Sequence, residues 1–161
     1  MSQPVTKFKS PVRFVFDVPA GPTVSRFLEA VQQGRLFGQR CPTCTKVYVP
    51  PRVACPRCGD ELLPEQLPVK DTGTVTSFCV VNVPYEGQTM KLPYVYASIL
   101  LDGADIPFPH LVDDVEAKDV RMGMRVKAEW GDKLGPTLES IRCFKPTGEP
   151  DVPFDAFKEH L

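Results

Sequence analysis

The sequence predicts a mostly β protein with one helix near its N-terminus and a small β barrel in its second half. β-Branched and aromatic residues recur in short runs from residue 72 onward, separated by glycine, proline and aspartate. The 161 residues include eighteen prolines, which favour short elements and turns over long helices. A chain of this length can bury a hydrophobic core and is expected to form one or two small domains.

Four segments divide the chain. We expect residues 1–21 to form an extended N-terminal arm and residues 22–64 to form a helix followed by a cysteine-rich unit. Residues 65–146 then form the barrel, and residues 147–161 form a C-terminal tail. The arm contains a short apolar stretch, Phe14–Phe16, which we expect to pair or dock elsewhere on the protein.

One amphipathic helix is predicted over residues 23–33. Its apolar side chains recur at helical spacing and form one stripe: Val24, Phe27, Leu28 and Val31. Pro22 and Thr23 give a start signal, and Gly34 gives a stop signal. This helix is expected to pack on the segment that follows it.

Four of the six cysteines form two pairs, Cys41-x2-Cys44 and Cys55-x2-Cys58, with ten residues between the pairs. This spacing aims two thiolates from each of two tight turns at one metal ion, which is the pattern of a zinc ribbon. Four thiolates leave no open position for water or substrate, so the predicted site is structural. We expect the first turn to be less regular, because Thr45 stands where the second turn has Gly59.

Two other interpretations of the cysteine pairs stay open at this point. A tetrathiolate site also accepts iron, and a single C-x-x-C pair also occurs in redox proteins. Pro51 and Pro56 disfavour the helix that a thioredoxin-like pair would open. Zinc is therefore the preferred metal, and redox chemistry is the less favoured alternative.

The second half of the chain predicts five strands. They are read from the sequence runs GTVTSFCVVNV, YVYASILL, IPFPHLVD, VRMGMRVKAEW and GPTLESIRCFKP. Five short strands in about 75 residues are typical of a closed barrel of the OB (oligonucleotide/oligosaccharide-binding) type. The predicted fold class is thus mostly β, with an N-terminal helix and zinc ribbon followed by a five-stranded OB-fold barrel. Cys79 and Cys143 lie in predicted strands, and we expect both to be buried.

The sequence contains no recognisable catalytic constellation. It lacks the glycine-rich phosphate loops, the GxSxG nucleophile turn and the HExxH metal motif. Of its two histidines, His110 lies in a predicted strand beside Asp113 and Asp114, where we expect a packing or surface role. The isolated chain is therefore predicted to be non-catalytic. The alternative hypothesis is a freestanding enzyme, which predicts that the pure chain turns over a substrate.

Charge is distributed unevenly along the chain. Residues 1–58 carry nine Lys and Arg against two acidic residues, a net charge of +7, whereas residues 59–161 carry −8. An anionic partner is expected to approach the basic, cysteine-rich part. A nucleic-acid-binding zinc-ribbon and OB module is the alternative function, but its barrel groove would be basic, and the barrel half here is acidic. No apolar run of roughly 18 residues or secretory signal is visible, so we expect a cytoplasmic protein with no membrane segment.

Several stretches together resemble one family. The helix end FLEAVQQGRL, the ribbon QRCPTCTKVYVPPRVACPRCG, the strand start DTGTVTSFCVVNVP and the late GMRVKAEW are similar to the DUF-thirty-five family over about residues 22–146. The resemblance implies a rubredoxin-like zinc ribbon and an OB fold. It also implies an accessory subunit of a hetero-oligomer with a thiolase-like or lipid-transfer-protein-like enzyme.

In that family the accessory subunit helps to bind acyl-CoA, and the catalytic residues belong to the partner. Some members pair with a thiolase-fold aldolase that cleaves steroid side-chain CoA thioesters by a retro-aldol step, and others bridge acyltransferase subunits. The resemblance assigns one structural zinc ion to Cys41, Cys44, Cys55 and Cys58. Arg40, Tyr48 and Arg52, in or beside VYVPPR, are the predicted CoA-binding residues.

Overall fold

The structure is a computed structural model, and it describes residues 6–8, 10, 14 and 17–161. Within these residues, the one α-helix is too short to cross a membrane. The predicted docking of Phe14–Phe16 falls mostly outside the described residues. The fold class predicted from the sequence, mostly β with an N-terminal helix and zinc ribbon followed by a five-stranded OB fold, is confirmed.

The helix, α1, spans Gly21–Gln32 and begins two residues earlier than predicted. Pro22 occupies its first turn, where the missing backbone N–H has no helical acceptor to lose. Gly34 adopts a left-handed φ of 69° and donates its N–H to the Val31 carbonyl, which ends the helix as predicted. The helix buries Phe27, whose ring meets that of Phe37 edge to face at 5.6 Å.

A three-stranded antiparallel sheet carries the cysteine-rich unit. Its strands are β1 (Leu36–Arg40), β2 (Val47–Tyr48) and β3 (Leu67–Val69), in the order β2-β1-β3. The third strand was not predicted, because LPV lies in a segment punctuated by prolines. Pro68 is tolerated there because β3 is an edge strand whose partner is β1 alone.

The five predicted strands of the second half are all present. They are β4 (Thr72–Val81), β5 (Tyr94–Leu101), β6 (Phe108–Val112), β7 (Arg125–Trp130) and β8 (Ile141–Pro146). Their order is β4-β5-β6-β8-β7, and the pairing of β7 with β4 closes the barrel. Phe144 lies at the centre of the barrel with no exposed surface, and its ring contacts Phe108 at a centroid distance of 6.4 Å.

Strand β4 is covered along only part of its length. It pairs with β7 through Thr72–Thr74, whereas Ser77–Val81 pairs with β5 alone. A bulge between Val75 and Ser77 separates the two halves. Cys79 lies in the uncovered half and is exposed, so the prediction that it is buried was wrong. Cys143, on β8, is buried as predicted.

The end of the chain is tied to both halves of the molecule. Phe157 is 2% exposed, and Val152 donates its N–H to the Gly123 carbonyl at 2.8 Å. His160 Nδ1 lies 2.8 Å from the carbonyl of Asp105, in the β5–β6 turn. The carboxylate of Asp105 in turn accepts the Val47 N–H of β2 at 2.8 Å. The tail, the barrel and the ribbon therefore meet at one point.

Candidate metal centre

The two C-x-x-C turns have the same backbone geometry. The N–H of Thr45 donates to the Cys41 carbonyl at 3.0 Å, and that of Gly59 donates to the Cys55 carbonyl at 2.9 Å. Thr45 adopts a φ of 61° and Gly59 a φ of 80°, so both residues are left-handed. The expectation of a less regular first turn was therefore wrong. The Thr45 hydroxyl donates to the Cys44 carbonyl at 2.7 Å, a local bond that accompanies this conformation.

The two turns bring four thiols together. The sulfur atoms of Cys41, Cys44, Cys55 and Cys58 all lie within 4.8 Å of one another, and Cys44 Sγ is 3.7 Å from Cys55 Sγ. A tetrahedron of Zn–S bonds of about 2.3 Å has sulfur–sulfur edges of about 3.8 Å. The donor set and its size therefore fit one tetrahedral zinc ion. Neither pair opens a helix, in contrast to a thioredoxin-like redox pair.

Tyr48 packs against this site and contacts one of its sulfur atoms. Its side chain is 3% exposed, and its hydroxyl lies 3.2 Å from Cys55 Sγ. Cys41, Cys55 and Leu62 complete a small buried cluster around it. Sequence reasoning placed Tyr48 among the CoA-binding residues and missed this contact, because only the folded hairpin brings residue 48 back to residue 55.

The thiols have different tendencies to ionise. The hydrogen bond with Tyr48 lowers the pKa of Cys55 to about 6, whereas burial raises the pKa of Cys58 to about 12. Four thiols this close cannot all ionise easily, because each negative charge opposes the next. A bound cation removes that conflict, because it supplies the positive charge that four thiolates require. The ribbon is thus built to hold a metal ion and offers it no free coordination position.

The arginines around the metal centre differ from those of the barrel. Arg40, Arg52 and Arg57 are exposed, and within the described residues none of them has a carboxylate at ion-pair distance. The three arginines of the acidic half are all ion-paired: Arg121 with Asp151, Arg125 with Asp102 and Glu149, and Arg142 with Glu129. The ribbon therefore carries positive charge that no acidic side chain of the described residues neutralises.

Two of these arginines are held in place by neutral groups. Arg40 Nη1 donates to the Thr45 carbonyl at 3.3 Å, beside the first turn. The guanidinium of Arg52 lies over the ring of Tyr48, 5.9 Å from its centroid. Both residues sit where the sequence prediction places a CoA contact, and that contact stays a prediction.

His110 packs as an aromatic side chain. Its ring stacks on Phe108 at 5.7 Å and meets Phe144 edge to face at 5.5 Å. Its Nδ1 atom is buried with no hydrogen-bond partner in the described part of the chain, and burial lowers the pKa of His110. These contacts favour the neutral ring and place His110 in the barrel wall.

Comparison with known proteins identifies both halves of the chain. A model described as the ChsH2 rubredoxin-like zinc ribbon domain matches residues 28–63, and one described as the ChsH2 C-terminal OB-fold domain matches residues 66–131. A DUF35 domain-containing scaffold protein of Methanocaldococcus jannaschii is 36% identical over 94 residues. The chain belongs to the DUF35 family. A zinc ribbon in this family favours zinc over iron for the four thiolates.

The relatives of this DUF35 chain differ in length. The archaeal scaffold proteins, from M. jannaschii and Methanothermobacter thermautotrophicus, are matched over 65% and 60% of their length, and over 58% and 50% of this chain. The second of them is 31% identical. A probable enoyl-CoA hydratase alpha subunit of Thermomonospora curvata is 31% identical over 74% of this chain and 36% of its own. The chain thus spans less than two thirds of these proteins.

Two solved structures share the fold. A chain of the Ltp2-ChsH2(DUF35) aldolase superposes with a TM-score of 0.59 at 25% identity, over 83% of this chain and 98% of that one. A DUF35 protein of Sulfolobus solfataricus gives a TM-score of 0.57 at 20% identity, over 78% and 84% of the two chains. The second likeness concerns the fold alone. The ribbon and barrel described above are therefore the architecture of known DUF35 proteins.

Proposed function

We propose that this DUF35 protein is a non-catalytic accessory subunit that binds acyl-CoA and positions it for a thiolase-like or lipid-transfer-protein-like enzyme. The names of its relatives support the accessory role, since two are scaffold proteins and one is part of an aldolase of two named components. The proposed partner reaction is a retro-aldol cleavage of a CoA thioester, for example the CoA thioester of a steroid side chain. The alternative partner reaction is acyl transfer.

The observation that carries the CoA proposal is the set of unpaired arginines on the ribbon. CoA presents a 3′-phosphate and a pyrophosphate, and guanidinium groups bind phosphate through paired, charge-assisted hydrogen bonds. Arg40 and Arg52 are exposed, and among the described residues a carbonyl holds the first and a ring face the second, so their remaining N–H donors are available to a ligand. Tyr48 contributes to this proposal by supporting Arg52.

The metal serves the same proposal structurally. Arg40 precedes the first cysteine directly, and Arg52 lies between the two turns. Zinc, when bound, supplies the cross-link that fixes both turns, and the closed tetrathiolate set adds no Lewis-acid chemistry. The chain's role is thus to hold two cationic side chains at a set separation, while the reacting groups come from the partner enzyme.

The test is calorimetry with acetyl-CoA on the complex of this chain with a thiolase-like enzyme of its organism, at two salt concentrations. We expect the double variant Arg40→Ala, Arg52→Ala to weaken binding by about 1–3 kcal/mol at low salt, because two charge-assisted contacts are lost. The difference is expected to shrink at high salt, where exposed charges are screened.

The matched control is Lys118→Ala with Lys133→Ala, which removes two exposed cations from the barrel half. It is expected to leave the affinity for acetyl-CoA unchanged. Equal affinities of wild type and the arginine variant at low salt would remove the phosphate role from these residues. Failure of the two proteins to form a complex, or thioester turnover by the pure chain, would contradict the accessory role itself.

A further inference from the structure

Strand β4 has an open edge on the uncovered half of the barrel. Ser77–Val81 pairs with β5 on one side, and on the other side none of the described residues forms a strand against it. Strand β7, which covers the first half of β4, pairs with it only up to Thr74. An edge of this kind presents backbone N–H and C=O groups to an incoming strand.

The edge lacks two of the devices that usually protect such strands, a charged side chain and a proline. The ten residues of β4 include no charged side chain and no proline. The bulge at Val75–Ser77 lies at the start of the uncovered half and leaves the five residues beyond it in regular pairing with β5. An unprotected, uncharged edge favours pairing with another strand.

The side chains of this edge are apolar on the face that turns towards the barrel interior. Phe78 and Val80 stand opposite Ala97 and Val95, which are buried, and directly opposed residues share one face of a sheet. Phe78 and Val80 are nevertheless both 36% exposed, because no strand of the described residues lies beyond them. An added strand would bury them while pairing with the edge.

We propose that the occupant of this edge is a second copy of the same chain, paired antiparallel through β4 about a twofold axis at Cys79. Cys79 is the middle residue of the open run Ser77–Val81, so this register gives the largest overlap. It places Phe78 opposite Val80 of the partner subunit, an aromatic and β-branched pair of the kind that stabilises sheets.

The absence of charge favours a second copy as the occupant. In a twofold interface every residue of the patch meets the same patch, so any charge near the axis would face a like charge. The open run carries none, and self-pairing therefore meets no electrostatic opposition. Val83 and Tyr85, which follow the strand and are 75% and 57% exposed, extend the apolar surface beyond the ladder. A ladder of five residues is small against the roughly 800 Å² per partner of a stable interface, so the dimer is expected to dissociate on dilution.

Sedimentation equilibrium of the zinc-loaded chain over a hundredfold concentration range tests the proposal. We expect a reversible monomer–dimer equilibrium for the wild type. The variant Val80→Lys introduces a charge that faces the partner's apolar pair, and it is expected to be monomeric throughout the range. The control Val53→Lys, at a 66% exposed ribbon position, is expected to dimerise like the wild type.

A second variant and a cross-link make the result independent of folding defects. Cys79→Asp changes an exposed side chain, keeps the inward face intact and sets two like charges across the axis, so it should also be monomeric. A short bismaleimide should link the wild type through Cys79, much faster than it links a Cys79→Ser, Val53→Cys variant through its new exposed cysteine.

The proposal would be overturned by a wild type that stays monomeric, by a Val80→Lys variant that still dimerises, or by equal cross-linking rates. Hydrogen exchange that is slowed at Ser77–Val81 only when the thiolase-like enzyme is added would assign this edge to that enzyme instead. Acetyl-CoA binding is measured in a separate experiment. A negative result on dimerisation therefore does not contradict the proposed function, and a negative result on acetyl-CoA binding does not contradict the dimer.

Discussion

The ribbon tip, residues 41–62, and the barrel are held together by different means. The ribbon tip has four buried residues at its centre: Cys41, Tyr48, Cys55 and Leu62. The main cluster has twenty buried residues, and it includes Leu36 and Phe37 of the first ribbon strand and Val49 of the ribbon tip. A cluster of four side chains buries too little apolar surface to offset the conformational entropy of the segment, so the tip depends on its metal. The barrel is stabilised chiefly by the burial of this larger core.

The two regions also treat charge differently. In the barrel half, Arg125 is held by both oxygens of Asp102, at 2.7 and 2.8 Å, and is mostly buried. On the ribbon, Arg52 rests on a ring and is exposed. Neutralised arginines hold a fold together, whereas unneutralised ones are available to a ligand. A bound metal would thus stabilise a segment with a very small core, so that its arginines need not form ion pairs to hold the fold.

The largest effect is expected from breaking the metal site. Replacing Cys44 by Ser removes one of four thiolates, and metal binding in such sites is worth on the order of 10 kcal/mol at neutral pH. We expect zinc to be lost and residues 41–62 to unfold, while the barrel and the first ribbon strand stay folded. Metal analysis and hydrogen exchange measure the two parts separately.

The control for this change is Cys79→Ser, which alters an exposed cysteine of the barrel. It should keep one zinc ion per chain. A Cys44→Ser protein that retains a full equivalent of zinc, or a wild type that contains iron, would refute the assignment.

A smaller loss is expected from opening a cavity in the barrel. Replacing the fully buried Phe144 by Ala should lower the free energy of unfolding by about 3–5 kcal/mol, through lost burial and the cavity left behind. Urea denaturation followed by the fluorescence of Trp130 measures this change. Phe154→Ala, at a position that is 53% exposed, should cost far less. Equal costs for the two variants would show that the barrel core is not where the stability lies.

The smallest effect is expected from removing the Tyr48 hydroxyl, which tests how much this group adds to the zinc affinity of the four thiolates. Tyr48→Phe keeps the ring beneath Arg52 and removes the hydroxyl at 3.2 Å from Cys55 Sγ. Outer groups of this kind change metal affinity about 10- to 100-fold, which corresponds to about 1.4–2.7 kcal/mol. Competition with a chromophoric chelator measures the zinc affinity.

Tyr96→Phe is the matched control, because its hydroxyl lies on the barrel and donates to the carbonyl of Pro109, at 3.5 Å. Its zinc affinity should equal that of the wild type. If the Tyr48→Phe protein also binds zinc as tightly as the wild type, the hydroxyl is a bystander and the four sulfur atoms set the affinity alone.

Patterns that are local in the sequence predicted the structure well. The spacing of Cys41, Cys44, Cys55 and Cys58 predicted the metal centre, and the stripe beginning at Val24 predicted the helix. The five barrel strands were visible because each has its own run of β-branched and aromatic residues. A short-range pattern is sufficient to predict an element when neighbouring residues determine the conformation of that element.

Features that depend on distant partners were missed. Strand β3 exists because Leu67–Val69 pairs with β1, about thirty residues earlier. Cys79 is exposed because β7 covers only the first half of β4, which no property of the strand's own sequence reveals. Tyr48 reaches Cys55 only once the hairpin has formed. Burial and support are properties of the assembled fold.

The junction at Asp105 has a consequence for how the two halves can be recombined. Asp105 binds Val47 twice, through its carboxylate and its own N–H, and receives His160 on its carbonyl. Ribbon and barrel match separate family models, which invites chimaeras that exchange one half between homologues. A cut near residue 64 would divide the Val47–Asp105 pair between two parents. A transplanted ribbon therefore needs the acceptor turn and the C-terminal residues that it was built against.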